Sequence, residues 1–159
     1  MIQDKHGELL DTLLPLVLEK YPNRGQHSRK HPLRLMCLVK DFCKKYKLDY
    51  ATFIVAAALH DIGRTNDKED TDHGKASLNI VKNKLEITEE AAVLIEEHCR
   101  ESTNEYVQYF KDLDALDRIR FNGRPWFIKI NSDKKEWLAR IGELQKLTTQ
   151  ELVDELTFN

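Results

Sequence analysis

The chain has 159 residues, with 25 lysines and arginines against 27 aspartates and glutamates, for a formal net charge of −2. That length suits one domain around one core, and the balanced charge excludes a general attraction to nucleic acid or to acidic membranes. Three cysteines, Cys37, Cys43 and Cys99, with no C-x-x-C pair, exclude a disulfide framework and a zinc ribbon and fit a reducing compartment. Met1 to His6 carries no signal-peptide pattern and no apolar run approaches membrane-spanning length, so a cytoplasmic protein with no membrane partner is expected.

Residues 2–21 read as a helix with Ile2, Leu9, Leu10, Leu13, Leu14, Val17 and Leu18 on one face and a kink at Pro15. Tyr21-Pro22-Asn23-Arg24-Gly25 breaks it. Pro32 is tolerated only in a first helical turn, so the next helix starts between Ser28 and His31 and runs through Leu35, Met36, Leu38, Val39, Phe42 and Tyr46. Cys37 and Cys43 fall in its apolar pattern as small core residues.

Asp49 is the expected N-cap of a third helix. Phe53-Ile54-Val55-Ala56-Ala57-Ala58-Leu59 is apolar nearly all round, which makes this helix the central, buried one. It ends in His60-Asp61, with Gly63 two residues on as the expected helix stop. Arg64 to Asp72 is a charged loop, read as solvated surface or as a rim over a site.

A short helix from His73 to Leu85 turns Ala76, Ile80, Val81 and Leu85 inward. Thr88 opens another, to about Arg100, with Ala91, Ala92, Leu94, Ile95, His98 and Cys99 on its core face. A helix from about Glu105 to Phe121 carries Asp112, Asp114 and Asp117; the last two share a face, and Asp112 points elsewhere. Asn122-Gly123-Arg124-Pro125 is a loop and Trp126 to Ile130 a short extended piece. Two helices close the chain, one after Ser132 and one behind a Thr148-x-x-Glu151 capping box. Trp126, Phe127 and Trp137 are read as packing or dimer contacts. The expectation is an all-α single domain over 1–159, its motif-bearing core at about 27–121 and a small helical appendage at about 122–159.

Helical reasoning turns six metal-competent side chains inward: His31, His60, Asp61, His73, His98 and Asp114. Imidazole and carboxylate suit Zn, Fe, Mn, Co or Ni, and with no thiolate at hand a structural zinc site is not expected. Four of the six would fix one ion and leave open positions. Two further histidines would hold a second ion, bridged by Asp61. Each alone has a plainer reading, as a satisfied core histidine or a solvated acid.

His31, the His60-Asp61 doublet and Asp114 in Asp112-Leu113-Asp114-Ala115-Leu116-Asp117-Arg118 resemble the H…HD…D signature of the HD-domain superfamily of metal-dependent phosphohydrolases. His73-Gly74-Lys75-Ala76-Ser77 resembles the H-G-x-x-S segment of many members, and His98 the later histidine of two-metal members. The resemblance implies a compact helical bundle holding one or two divalent ions (Mn, Fe, Co, Ni, Zn or Mg). His31, His60, Asp61 and Asp114 would be ligands of one, with His73 and His98 completing a second site. It implies hydrolysis of a phosphomonoester or phosphodiester of a nucleotide or similar small metabolite, with Asp61 and Arg64 in catalytic roles.

Arg64, with Lys75 as a weaker candidate, would meet the substrate phosphate. His27 competes with His31 as first ligand, but its spacing before the helix favours a substrate-side or structural role. Arg34, Arg118 and Arg120 are expected to pair with acids. Single-metal nucleotidases of the superfamily often carry H-D-x-x-E where this chain has Arg64, a departure that leans toward the two-metal branch. A di-iron oxygenase of the same superfamily and a non-catalytic nucleotide- or partner-binding module are the alternatives. A homodimer is allowed, and no nucleic acid is expected as partner.

Overall fold

In the computed structural model the description covers residues 2–25, 28–64, 73–122 and 127–158, excepting the side chains of 2–6 and 119–122. Among these residues there are eight α-helices and no strand: α1 (Ile2–Lys20), α2 (Lys30–Tyr46), α3 (Tyr50–Leu59), α4 (His73–Lys82), α5 (Glu89–Glu97), α6 (Glu105–Asn122), α7 (Lys134–Leu144) and α8 (Thr149–Phe158). None of the helices described is long and apolar enough to cross a membrane. His27, residues 65–72 of the charged loop, the loop at 123–125, Trp126, and the side chains of Ile2, Ile119 and Arg120 lie outside the described residues.

Local chemistry sets the helix ends. The Asp49 carboxylate accepts from the Thr52 backbone N–H at 3.0 Å and caps α3. The Thr88 hydroxyl does the same for α5 through Ala91 N–H, each cap contributing about 1 kcal/mol. Before α8, Thr148 and Glu151 bond each other's backbone N–H at 3.0 and 3.1 Å, the reciprocal box expected from the sequence. Lys47, at φ 56°, provides the left-handed turn that ends α2.

Gly63 is not a left-handed helix stop; among described glycines only Gly25 has positive φ. Its value is closeness. A Cβ there would fall within 3.0 Å of the Ser77 and Ala76 backbone of α4, and one on Gly74 within 3.0 Å of the Glu96 and Ile95 carbonyls of α5. The α4 register differs from expectation for the same reason: Ser77, Leu78 and Val81 are buried, whereas Ala76 and Ile80 are only half-buried.

α2 and α3 form the centre. α1 and α5 pack on α3, α6 on α2 and α5, and α7 and α8 on α2. Phe42, Phe53 and Phe110 are fully buried between them. The C-terminal helices close the bundle: Leu144 and Leu152 have no exposed surface, and Trp137 Nε1–H donates to Tyr46 Oη, which donates to Asp133. Phe127 and Trp137 are therefore packing residues within the chain.

Residues 127–130 are not an extended strand. The Asp112 carboxylate accepts the backbone N–H groups of Ile128, Lys129 and Ile130 at 2.7, 2.6 and 3.2 Å, which bends this segment over α6 into a 3-10 turn at Asn131–Asp133.

Candidate metal centre

α3 delivers a histidine and an aspartate into the core at its last turn. His60 is the C-cap, fully buried, and its Nδ1–H points back at the Ala57 and Ala56 carbonyls at 3.1 and 3.2 Å. Carbonyls only accept, so Nδ1 carries the proton and the neutral ring presents its Nε2 lone pair outward. The turn that follows is pinned on both sides. Tyr21 Oη donates to Ala58 O at 2.7 Å and accepts from Asp61 N–H at 3.2 Å, while Gly63 N–H donates to Ser77 Oγ at 2.8 Å. Asp61 is thereby aimed at the bundle axis.

His31 arrives from the first turn of α2 and Asp114 from the buried face of α6. His31 Nε2 lies 2.8 Å from Asp114 Oδ1, 3.2 Å from His60 Nε2 and 3.6 Å from Asp61 Oδ2. His60 Nε2 is 3.3 Å from both carboxylates. Ligand atoms about 2.0–2.2 Å from a common cation sit about 3.0–3.5 Å apart, whether four- or six-coordinate. His31 and His60 therefore already stand at about coordination-shell spacing from each other and from both carboxylates.

A second group adjoins the first through Asp61. Its Oδ1 lies 3.0 Å from His73 Nε2, at the start of α4, and 3.4 Å from His98 Nε2, at the end of α5; the two Nε2 atoms are 2.7 Å apart. His98 Nδ1–H donates to Ile95 O at 2.7 Å, so its Nε2 also presents a lone pair. Phe110 stands edge-on to His60 and His98 and forms an apolar wall.

The donor set fits divalent cations. In their neutral forms His31, His60 and His98 spend the Nδ1 proton on a backbone or carboxylate oxygen, which leaves lone pairs facing lone pairs and two carboxylates in a dry interior. Such a cluster needs positive charge at its centre. In the protein alone, protons take that place. Burial drives His60 down, but Asp61 and Asp114 more than offset it, and its pKa rises from 6.5 to about 10. Burial opposes His31 as well, and Asp114 and Asp117 raise it. Burial alone would lift Asp114; Arg118, His60 and His31 instead hold it well below the usual carboxylate range. Burial keeps His98 below its ordinary value despite Asp61, so it stays neutral.

All six residues picked out as ligands from the sequence converge. The paired arginines are also where the sequence places them: Arg34 Nε donates to Asp117 Oδ1 at 2.7 Å, and Arg118 lies 3.3 Å from Asp114 Oδ2. Arg64 is beside the second group, its NH1 3.3 Å from His73 Nδ1. Lys75 is not gathered in; it is exposed on the side of α4 opposite His73.

Sequence reasoning missed several supporting groups. Asp117 Oδ2 accepts from His31 Nδ1–H at 2.6 Å and its Oδ1 accepts from Gln145 at 3.2 Å; its i,i+3 relation to Asp114 was the available signal. Tyr21 had none, being 40 residues from Asp61. The expectation that no cysteine stands near the candidate ligands is also corrected: Cys99 joins His73 and His98 in a group whose ligand atoms all lie within 4.8 Å of one another. As the residue after a buried helix cap it looked like packing.

Histidines and aspartates from five helices of an all-α bundle, meeting at one buried point, define a helical domain equipped to hold divalent ions. The family model of the HD domain matches residues 29–119, and the chain belongs to that family. HD domains make up a superfamily that consists mostly of metal-dependent phosphohydrolases. No curated protein and no solved structure matches the chain.

Proposed function

We propose that the chain is a metal-dependent phosphohydrolase acting on a phosphomonoester or phosphodiester of a nucleotide or similar small metabolite. The observation that carries this reading is the division of one carboxylate between two ligand groups: Asp61 Oδ2 faces His31 and His60, and Asp61 Oδ1 faces His73 and His98. His31, His60, Asp61 and Asp114 would hold one ion, and Asp61, His73 and His98 a second. Divalent ions bound there acidify a water and offset charge on a phosphoryl oxygen.

The chain's own residues do the rest. Asp61 fixes the spacing of the two groups and is itself fixed by Tyr21 through its backbone N–H. Asp117 and the carbonyls of Ala57 and Ile95 hold the imidazole rings in the tautomer that turns Nε2 to the centre. Phe110 and the neighbouring helices keep bulk water from this side. Arg64, at the His73 edge, supplies a planar cation suited to a phosphate, and Arg118, its side chain 38% exposed, stands at the Asp114 edge.

The test is a screen of the purified protein against nucleotides and other phosphate esters with Mn²⁺, Co²⁺ or Ni²⁺, with Asp61→Ala alongside. Release of phosphate or of a nucleoside monophosphate that Asp61→Ala abolishes is the expected result. No turnover above the variant across the screen would count against it. The completeness of the six-group set also favours a second reading, a di-iron oxygenase. Iron in freshly prepared protein with a mixed-valent EPR signal would select that one.

A further inference from the structure

The two ligand groups differ in kind. Around His31 every candidate atom is an imidazole nitrogen or a carboxylate oxygen. Beside His73 and His98 there is sulfur. The Cys99 thiol, one residue past the cap of α5, shares with the two ring nitrogens a group spanning no more than 4.8 Å. His98 is 3% exposed and its Nδ1 is committed to Ile95 O, so the lone pair aimed into this group belongs to Nε2. Arg118 feels the same cluster: Asp114 does most to hold its guanidinium charged, burial opposes, and Asp61 and Cys99 add to Asp114's effect.

We propose that Cys99 is a ligand of the second subsite, so that His73, His98, Cys99 and one Asp61 oxygen form a four-group site for a thiophilic divalent cation. Zn²⁺, Co²⁺ and Fe²⁺ are the ions such a set selects over Mn²⁺ and Mg²⁺, because sulfur and imidazole favour the softer metals. The inference rests on reading the histidine cluster as a metal centre, and it adds which ion belongs on which side. Around a tetrahedral Zn²⁺ a sulfur about 2.3 Å and a nitrogen about 2.0–2.1 Å from the ion stand about 3.6 Å apart. Binding would draw the Cys99 sulfur inward from that 4.8 Å limit by at most roughly 1.2 Å. On binding, the thiol passes its proton to solvent and its sulfur lone pair to the ion; no bond is oxidised or reduced. The other two cysteines serve as internal controls, since burial pushes the Cys37 and Cys43 thiols up to about 12 and they lie against Leu152 and Asp49, away from the cluster.

The experiment is a Co²⁺ titration of the reduced, metal-free full chain, followed by absorption, with bound cobalt counted by elemental analysis. A near-ultraviolet thiolate-to-cobalt charge-transfer band is expected to grow with one of two bound ions. Cys99→Ser should remove that band, keep the visible bands of the other ion and weaken Zn²⁺ at the softer subsite by at least about tenfold. Cys37→Ser should leave the band in place. A measurement on the unaltered chain runs in parallel: Zn²⁺, and not Mg²⁺, should protect Cys99 from alkylation, mapped by mass spectrometry. Two bound cobalt ions without the band, a band that survives Cys99→Ser, or alkylation unaffected by Zn²⁺ would overturn the assignment of Cys99 and leave the two-ion centre standing. Failure to bind cobalt at all would overturn both.

Discussion

Behind His31 stands a chain of charged partners, and behind His98 a single carbonyl. The Asp117 carboxylate grips His31 Nδ1 and is itself held by Arg34 and Gln145, so α2, α6 and the end of α7 all brace one imidazole. On the other side His98 leans on Ile95 O, three residues back in its own helix, and His73 has the Arg64 guanidinium for company. The first group also owns a carboxylate, Asp114, while the second shares Asp61. Two carboxylates face the first side, while the second has a shared carboxylate and the Cys99 sulfur, so a hard cation such as Mn²⁺ should fill the His31 side first. Asp61 is the only group of the six that both sides need.

Breaking the shared member should have the largest effect. Asp61→Ala is expected to lower bound metal from two ions to background and to abolish turnover, measured by elemental analysis and phosphate release; retention of one tight ion would show that the sides are independent. Next comes a change that should separate them. Asp117→Asn takes the carboxylate from behind His31 and should weaken the first ion by about 10–100-fold while leaving the second within about twofold. Two-site calorimetry reads both constants, and equal loss at both would erase the contrast.

A third effect concerns protons. His60 in the ion-free protein has its pKa raised to about 10, above its ordinary 6.5, so the stability it contributes is present below about pH 6.5 and is lost as pH rises through about 10. With the ion bound there is no such proton to lose. Thermal midpoints taken across that range should therefore fall in chelator and hold steadier with metal. The smallest effect on the centre should come from Asp112→Ala. It strips the acceptor from three backbone N–H groups and should cost about 2–4 kcal/mol in denaturant unfolding. Metal content should be unchanged.

How much of this was legible depended on the range of the cause. Asp49, Thr88 and the Thr148–Glu151 box act over three residues, so their helix ends could be read directly. Of the candidate ligands, His60 and Asp61 were legible because they end a buried apolar helix, and His31, His73, His98 and Asp114 from their inward helical positions together with the resemblance to the HD family. What stayed hidden depends on how helices cross. Periodicity puts Asp112 off the Asp114 face but does not say that it gathers Ile128 to Ile130, and so a bent segment read as extended. Cys99 follows a buried cap, where a thiol and a methyl look alike in pattern; only the placement of α4 against α5 brings His73 to it. Gly63 was read as a stop because that is the commoner use of glycine after a helix. Its real constraint, the Ser77 backbone, lies 14 residues away.

The glycine contacts on either side of α4 bear on how the centre is held together. Gly63 and Gly74 remove the side-chain layer that normally cushions neighbouring helices, so α4 meets the turn after α3 and the end of α5 main chain to main chain. Such a seam has no slack for sliding, because a small shift along it drives backbone atoms into overlap. A methyl placed at either glycine should therefore push α4 away as a body and carry His73 off from His98.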